Sequence, residues 1–458
     1  MLSRTRDERI NHVSTTSHRP LQPQAPLPAD TPTFEADVTS PPRRILRGLR
    51  TFESFQHRDF VYFFSGALVS NIGSWTQTVA LGWVIYALTG SSSALGVVNF
   101  LSGIPIIFLT LFAGTLIDHV DRRKLLIVAQ ALLMMEAVTL VYLNHTGTIT
   151  IAWIYALTLA VGVVSAFVFP AWQATVPDLV PRSSLLNAVA LSSAQFNAAR
   201  LVGPMVTAVI MAAFSANEQL GITMVFAFNA VSFLFVIGAL SVVRPAQKIQ
   251  PRNDSTRSSM VAGIAYVRKH RHLAMHLLTA SVMVVFGMAF QTLLPAIAVD
   301  TLGLGSTGYS SLMIFNGLGA LTGALAVASL PRSVRRERII SYGVVVMALG
   351  CVALSYSHAY ALTAVLLVVL GIAFLATVSS LNTNVQTAAP DHLRGRIMAL
   401  YVIAFMGMMP FGSLAFGWLG DVIGPGGAVR VGGLALLGWA GLLMARPALL
   451  LPRSTTGT

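Results

Sequence analysis

Long runs of apolar residues alternate with short polar segments along most of this chain. Each run has roughly the 20 residues that a helix needs to cross a bilayer. None alternates strictly between apolar and polar residues, as the strands of a membrane barrel do. Since a spanning segment must satisfy its own backbone hydrogen bonds, the pattern predicts an all-α integral membrane protein with twelve transmembrane helices. The predicted spans are residues 59–88, 93–116, 124–144, 149–176, 184–214, 219–243, 273–299, 308–330, 338–356, 359–388, 394–420 and 428–446.

Cationic residues fall almost entirely on one side of this arrangement. All but two of the 30 Lys and Arg residues lie in the N-terminal tail, in every second loop or in the C-terminal tail. The exceptions are Arg200, inside the fifth run, and Arg430, in a loop on the opposite side. Because cytoplasmic loops carry the excess of Lys and Arg, both termini are predicted to be cytoplasmic. The location expected is a bacterial-type inner (plasma) membrane, crossed many times.

Composition excludes several other classes of protein. Hydrophobic residues make up 55% of the chain and charged residues only 10%, against about 25% charged in soluble domains. The net charge of +13 is spread over all the inside loops, so no nucleic-acid partner is predicted. One cysteine, Cys351, permits no disulfide within the chain, and no metal or cofactor is predicted. The GxxxxGK[ST], HExxH and GxSxG motifs are absent, which disfavours an enzyme.

The segments between and around the runs predict the domain organisation. The N-terminal segment is rich in Pro, Ser, Thr and Arg, which predicts a disordered tail. The longest polar segment separates six runs from six, and within it Met260, Ile264 and Val267 have the spacing of a helix lying along the membrane face. The predicted parts are a cytoplasmic tail (1–58), a six-helix bundle (59–243), a cytoplasmic linker (244–272), a second six-helix bundle (273–446) and a cytoplasmic tail (447–458).

The two halves of the chain resemble each other at an offset of 213 residues. Three features superimpose, and each is given with its counterpart: Gln173 with Gln386, Pro177-Asp178 with Pro390-Asp391, and Arg122-Arg123 with Arg335-Arg336. Parallel repeats with a substrate site between them at mid-membrane are a transporter plan. The repeat therefore predicts a transporter whose site lies between two six-helix bundles.

The loop after the second run carries a family resemblance. It contains a glycine, two acidic residues and a basic pair: Gly114, Asp118, Asp121, Arg122 and Arg123. This pattern resembles the signature loop of the major facilitator superfamily. The resemblance implies that the loop forms a cytoplasmic latch, which holds the two halves together when the cavity faces outward.

Longer stretches resemble one branch of that superfamily. They include FPAWQATVPDLVPRSSLLNAVAL, AQFNAARLVGP and NVQTAAPDHLRGRIMAL, and the resemblance extends over nearly all of residues 52–446. The branch contains enterobactin-type siderophore exporters and macrolide-efflux-like proteins. It implies a monomeric secondary transporter that exports a siderophore, macrolide-like drug or other metabolite by alternating access, coupled to protons. Uptake by the same fold, and a membrane sensor or scaffold without transport, remain alternatives.

The resemblance also directs the search for substrate contacts. In this superfamily the first and fourth helices of each half line the cavity, and aromatic residues such as Trp172 offer stacking surfaces. Hydrogen bonding between helices is the alternative role for polar residues at membrane depth. The candidate cavity residues are Ser74, Trp75, Gln77, Gln173, Arg200, Gln291, Asn382 and Gln386.

Arg200 is the cationic residue deep within an apolar run, far from either end. A guanidinium at the bilayer centre costs about 3 kcal/mol on insertion scales, so it requires a carboxylate, backbone carbonyls or a water-filled cavity. Two hypotheses follow: contact with an anionic substrate or a coupling acid, or a structural pair with another helix. Gly203 and Pro204, which follow in the same run, predict a helix bend.

Two acidic residues are candidates for proton coupling. Glu136 lies well inside the third run, and Asp300 lies at the end of the seventh. Ionisable groups inside the membrane often form proton relays. No acidic residue lies within the first run, where several drug–proton antiporters of the superfamily have one.

Overall fold

The structure is a computed structural model that describes residues 50–243, 256–331 and 334–451. Over these residues it contains helices and no strand. The N-terminal half has six long helices, as predicted. They are α1 (Arg58–Thr89), α2 (Ser92–His119), α3 (Arg122–His145), α4 (Ile151–Thr175), α5 (Leu185–Ala213) and α6 (Glu218–Val242).

The second half repeats this arrangement after a linker helix. Two of its membrane crossings are interrupted: π-helical turns at Met283–Gly287 and Ile297–Thr301 adjoin α9, and Gly407 and Met408 separate α13 from α14. The helices are α7 (Thr256–Lys269), α8 (Arg271–Val282), α9 (Ala289–Ala296), α10 (Ser306–Ser329), α11 (Arg336–Leu354), α12 (Tyr360–Ala388), α13 (Arg394–Met406), α14 (Met409–Ile423) and α15 (Pro425–Ala445). The prediction of an all-α fold with twelve crossings is confirmed.

Eleven of the crossings are long and apolar enough to span a membrane by length and composition. The remaining crossing in the described part of the chain is α1. Its sequence includes Ser70, Asn71, Ser74, Gln77 and Thr78 within nine residues, which lowers its hydropathy. A helix with this many polar side chains is tolerated in a membrane when they face protein or water rather than lipid.

The described residues extend beyond the predicted bundles at both ends. Residues 1–49 lie outside the described part, but Arg50–Gln56 form a 3-10 helix within the predicted disordered tail. Ser54 fixes this helix to the start of α5, since its N–H donates to Asn187 Oδ1 (3.0 Å) and its hydroxyl to Ser184 O (3.1 Å). In the predicted C-terminal tail, Leu450 is buried. The predicted linker helix is present as α7, although the described residues begin at 256.

Within each half, neighbouring helices pack along most of their length. In the first half α1 packs on α5 and α6, α3 on α4 and α6, and α2 on α4. In the second half α12 packs on α10 and α11, and α11 on α15. The two most extensive contacts between the halves are those of α2 with α14 and of α5 with α10. The space between the halves is therefore bounded by these two seams.

Glycines allow the seam between α2 and α14 to close tightly. A Cβ atom on Gly96 would lie 2.5 Å from Ser413 O, and one on Gly417 would lie 2.6 Å from Ser92 O. Small residues at such crossings let helix backbones approach. These residues lie in the half of the membrane away from the cation-rich loops, so the halves are in close contact there.

At the cation-rich end, polar residues of both halves are exposed. Gln173 near the end of α4 and Gln386 near the end of α12 are exposed. The contact of α2 with α14 therefore holds the halves together at the end opposite the cation-rich loops, and Gln173 and Gln386 are accessible at the cation-rich end.

Candidate functional site

A close approach of α5 to α1 builds the centre of the site. Gly203 permits it, because a Cβ atom there would lie 2.4 Å from Trp75 Cβ. Pro204 follows within the same helix. On the far side of the contact, Thr207 donates from its hydroxyl to the carbonyl of Thr76 (3.2 Å). The Gly-Pro pair thus sets which residues of α1 and α5 face each other.

This packing brings Arg200 to Trp75. The guanidinium carbon of Arg200 lies 5.6 Å from the ring centroid of Trp75, within the range of a cation–π contact. Phe196, one turn earlier on α5, meets the edge of the same ring at a centroid distance of 6.0 Å. An aromatic ring and a cation from two helices therefore form one surface.

The Arg200 guanidinium is partly buried and makes no hydrogen bond or ion pair among the described residues. One of the two hypotheses for Arg200 is a structural contact with another helix. Such a contact is present, but its partner is the Trp75 ring and not a carboxylate. A ring face offsets only about 0.5–2 kcal/mol for a cation. The positive charge is therefore left without a counter-charge from the described part of the chain.

A second group of polar side chains joins α1, α3 and α6. Gln77 Nε2 donates to both carboxylate oxygens of Glu136, at 3.1 and 3.0 Å. Asn229 Nδ2 donates to Gln77 Oε1 at 2.7 Å, and the Ser232 hydroxyl lies 3.2 Å from Asn229 Oδ1. The predicted cavity residue Gln77 and the predicted coupling acid Glu136 thus belong to one network.

The remaining cavity candidates are dispersed. Ser74 donates to the carbonyl of Ser70 in its own helix, and Gln291 donates to Asn316 Oδ1 at 3.3 Å. Asn382 is partly buried in α12. Trp172, expected to stack on substrate, instead packs against Phe63 with ring centroids 4.2 Å apart. Its ring is therefore part of the packing between α1 and α4.

The signature loop is bonded within its own half. Asp121 caps α3 by accepting from the N–H of Lys124 (3.1 Å). Arg122 pairs with Asp178 (2.9 Å), and Arg123 donates to the carbonyls of Leu240 and Ser241 at the end of α6. Gly114 and Asp118 lie in α2, and the Asp118 side chain lies outside the described part of the structure. The described contacts of the basic pair therefore lie within the N-terminal half.

The opposite end holds polar contacts between the halves. Tyr86 of α1 donates to Asp300 Oδ2 at 2.5 Å. Asp421 at the end of α14 accepts from the Ser92 N–H at 2.6 Å, the Ser91 hydroxyl at 2.6 Å and the Ser93 N–H at 3.1 Å. Asp300, a predicted coupling residue, thus lies in the closed end of the cavity.

Sequence reasoning missed several of these residues. Asn229 lies in the sixth crossing, outside the first and fourth helices of each half that the family resemblance designates as the cavity lining. Asp421 follows the predicted end of the eleventh run by one residue. Asn384 Nδ2 lies 3.2 Å from both His276 Nε2 and Glu337 Oε1, a cluster near the cation-rich end that no motif indicated. A search for every polar residue inside an apolar run identifies Asn229 and Asn384.

Comparison with known proteins establishes the family. The family model described as transmembrane secretion effector, within the major facilitator superfamily, matches residues 50–454. The chain belongs to this family. A transmembrane secretion effector of this superfamily is a membrane transporter, so the expectation that the chain is not an enzyme is confirmed.

Characterised relatives of this secretion effector include siderophore and drug transporters. The staphyloferrin A transporter of Staphylococcus aureus is 24% identical over 367 residues, 79% of this chain and 90% of the relative. The multidrug efflux pump Tap of Mycobacterium tuberculosis is 26% identical over 372 residues, 78% and 86% of the two chains. Macrolide efflux protein A of Streptococcus pyogenes is 23% identical over 372 residues, 80% and 90%. The predicted resemblance to this branch is confirmed.

Solved structures agree on the fold. The crystal structure of the nucleoside transporter NupG superimposes with a TM-score of 0.63 and 13% identity, covering 86% of this chain and 99% of NupG. At this identity the likeness concerns the fold alone. The major facilitator fold predicted for the secretion effector, twelve helices in two bundles, is confirmed.

Proposed function

We propose that this transporter exports a small organic molecule across a bacterial plasma membrane by alternating access. The observations that carry the proposal are that the polar contacts between the halves gather at one end, and that Arg200, beside Trp75, has no counter-charge among the described residues. The names of the relatives support export of a siderophore, a macrolide or another drug. In this proposal both termini are cytoplasmic, and the cavity accepts substrate from the cytoplasm.

Arg200 and Trp75 form the proposed recognition surface. A cation next to an aromatic face suits a substrate that carries an anionic group beside an apolar or aromatic part. Because the positive charge has no counter-charge among the described residues, an anionic substrate group also offsets the cost of burying it. Gln77 and Asn382 are the proposed hydrogen-bonding contacts farther along the cavity wall.

Proton coupling is assigned to Glu136. Its carboxylate accepts two hydrogen bonds from Gln77, on the helix that carries Trp75. Protonation of the carboxyl group turns one acceptor oxygen into a donor, which forces Gln77 to reorient. This rearrangement links proton binding to the cavity wall. Asp300, at the closed end, is assigned to closure rather than to coupling.

The test is accumulation of labelled siderophores and macrolides in cells that lack their own exporters. We expect the transporter to lower accumulation of one class and a protonophore to restore it. The Arg200→Ala variant is expected to lose this effect at normal membrane abundance. Arg430→Ala is the matched control, because Arg430 makes a cation–π contact with Tyr356 (4.2 Å) in the predicted opposite-side loop region.

Three results would contradict the proposal. Raised accumulation would establish uptake instead of export. Unchanged accumulation of every compound in the panel would exclude siderophores and macrolides as substrates. Equal losses for the Arg200 and Arg430 variants would assign Arg200 to folding rather than to recognition.

A further inference from the structure

A groove between α11 and α12 lies apart from the proposed substrate cavity. Its volume is about 680 Å³. The main neighbours of α11 are α12 and α15 of its own half, so this surface faces away from the seams between the halves. Tyr342 is 59% exposed and Val346 is 40% exposed. These exposures indicate that the groove opens toward the surrounding bilayer.

The wall of the groove is apolar and extends along both helices. From α11 it is lined by Ile339, Tyr342 and Val346, and from α12 by Val369 and Ile372. Residues 338 to 346 correspond to about 12 Å along the helix axis, by the rise of 1.5 Å per residue. A groove of this length and composition matches one segment of a lipid acyl chain.

Two arginines stand at the cation-rich end of the groove. Arg335 and Arg338 both line it, and both are exposed. Among the described residues neither makes an ion pair. The neighbouring acid, Glu337, instead accepts a hydrogen bond from Asn384 (3.2 Å). The mouth of the groove is therefore cationic.

We infer that this groove binds one anionic phospholipid, with its phosphodiester between Arg335 and Arg338 and an acyl chain against Tyr342 and Val346. Charge complementarity favours this occupant. The cytoplasmic leaflet carries anionic lipids, and basic pockets between membrane helices on that side bind their headgroups. A free phosphate ion leaves the apolar wall uncovered, and a zwitterionic lipid carries no net charge for the two arginines to bind.

The first test is native mass spectrometry of the purified full chain with phosphatidylglycerol and phosphatidylcholine. We expect preferential retention of phosphatidylglycerol. A basic residue near a lipid surface contributes about 1 kcal/mol to the binding of anionic lipid, which corresponds to about fivefold in affinity. Arg335→Gln and Arg338→Gln should therefore each weaken phosphatidylglycerol binding about fivefold. Arg336→Gln is the matched control, since Arg336 lies between them in sequence but does not line the groove. Equal losses in all three variants would overturn the site in favour of general surface charge.

The second test blocks the groove without changing its charge. Val346→Trp should displace the acyl chain and lower phosphatidylglycerol retention. Leu349→Trp, on an exposed position of the same helix outside the groove, should not. Thermal unfolding of both variants checks that they are folded. Retention unaffected by Val346→Trp, or abolished by excess glycerol 3-phosphate, would show that only an anion binds at the arginines and would overturn the proposal.

Discussion

Asp421 of the second half caps the first turn of α2 in the first half, with its Oδ1 atom 2.6 Å from the N–H of Ser92. Its Oδ2 atom accepts from Ser91 and Ser93. The first N–H groups of a helix have no partner within the helix, and a Ser, Thr, Asp or Asn side chain at the preceding residue usually supplies one. Here the acidic side chain comes from the other half, so opening this end must break the cap.

Loss of this cap is expected to favour opening at the closed end. Removal of a capping side chain costs about 1 kcal/mol, so Asp421→Ala should raise the outward-open population about fivefold. Double electron–electron resonance between spin labels at Leu88 and Val422 measures the distance between the two halves at this end. Both positions are exposed. The only native cysteine, Cys351, is buried, which permits selective labelling.

The control for this measurement is Glu218→Ala. Glu218 lies in the first turn of α6, in an opposite-side loop region of the first half, and it makes no ion pair with the described residues of the second half. Its removal changes the charge by the same amount. Identical distance distributions for the Asp421 and Glu218 variants would contradict a role for the cap in closure.

The signature loop yields a prediction that separates its two acids. Asp118→Asn should slow transport turnover while leaving substrate affinity unchanged, if the loop forms the cytoplasmic latch that the family resemblance implies for the outward-facing state. Asp121→Asn should have turnover close to the wild type, since Asp121 caps α3 and asparagine caps helices about as well as aspartate. Turnover and half-saturation concentration in proteoliposomes measure both effects. Wild-type turnover for Asp118→Asn would rule out its role in the latch.

The helices could be predicted from the sequence because hydropathy alone determines where a chain can cross a bilayer. Every predicted run has a counterpart, usually within three residues at each end. The interruptions at Met283–Gly287 and Gly407 were not predicted, since the sequence there remains apolar. The 3-10 helix at Arg50–Gln56 was missed because contacts with α5, distant in sequence, stabilise it.

The site could be predicted only as a set of residue types. Polar residues at membrane depth identified Gln77, Glu136 and Arg200, but not their partners. Membrane helices are apolar around most of their circumference, so the sequence does not determine which face meets which neighbour. The pairings of Gln77 with Asn229 and of Arg200 with Trp75 depend on how each helix is rotated about its axis and on the crossing at Gly203. These partners can be identified only from the three-dimensional structure.

Removal of the Glu136 carboxylate is expected to uncouple transport from protons. Glu136→Gln retains a side chain that can bond to Gln77 but cannot be protonated. Proteoliposomes with this variant should lose transport driven by an imposed pH gradient and retain substrate counterflow, which needs no net proton movement. Asp300→Asn, at the closed end, should still respond to the gradient. A normal gradient response from Glu136→Gln would exclude Glu136 as the coupling residue.

The crossing of α1 and α5 gives a prediction for stability and recognition together. Gly203→Ala places a methyl group 2.4 Å from Trp75 Cβ, and overpacking of this kind costs about 1–3 kcal/mol. We expect a lower unfolding temperature in detergent and weaker substrate binding, because Trp75 must move away from Arg200. Gly238→Ala is the control: nothing lies within 4 Å of its Cβ position, so stability should be unchanged or slightly higher. Equal stability of the two variants would contradict the close approach at Gly203 on which the recognition surface depends.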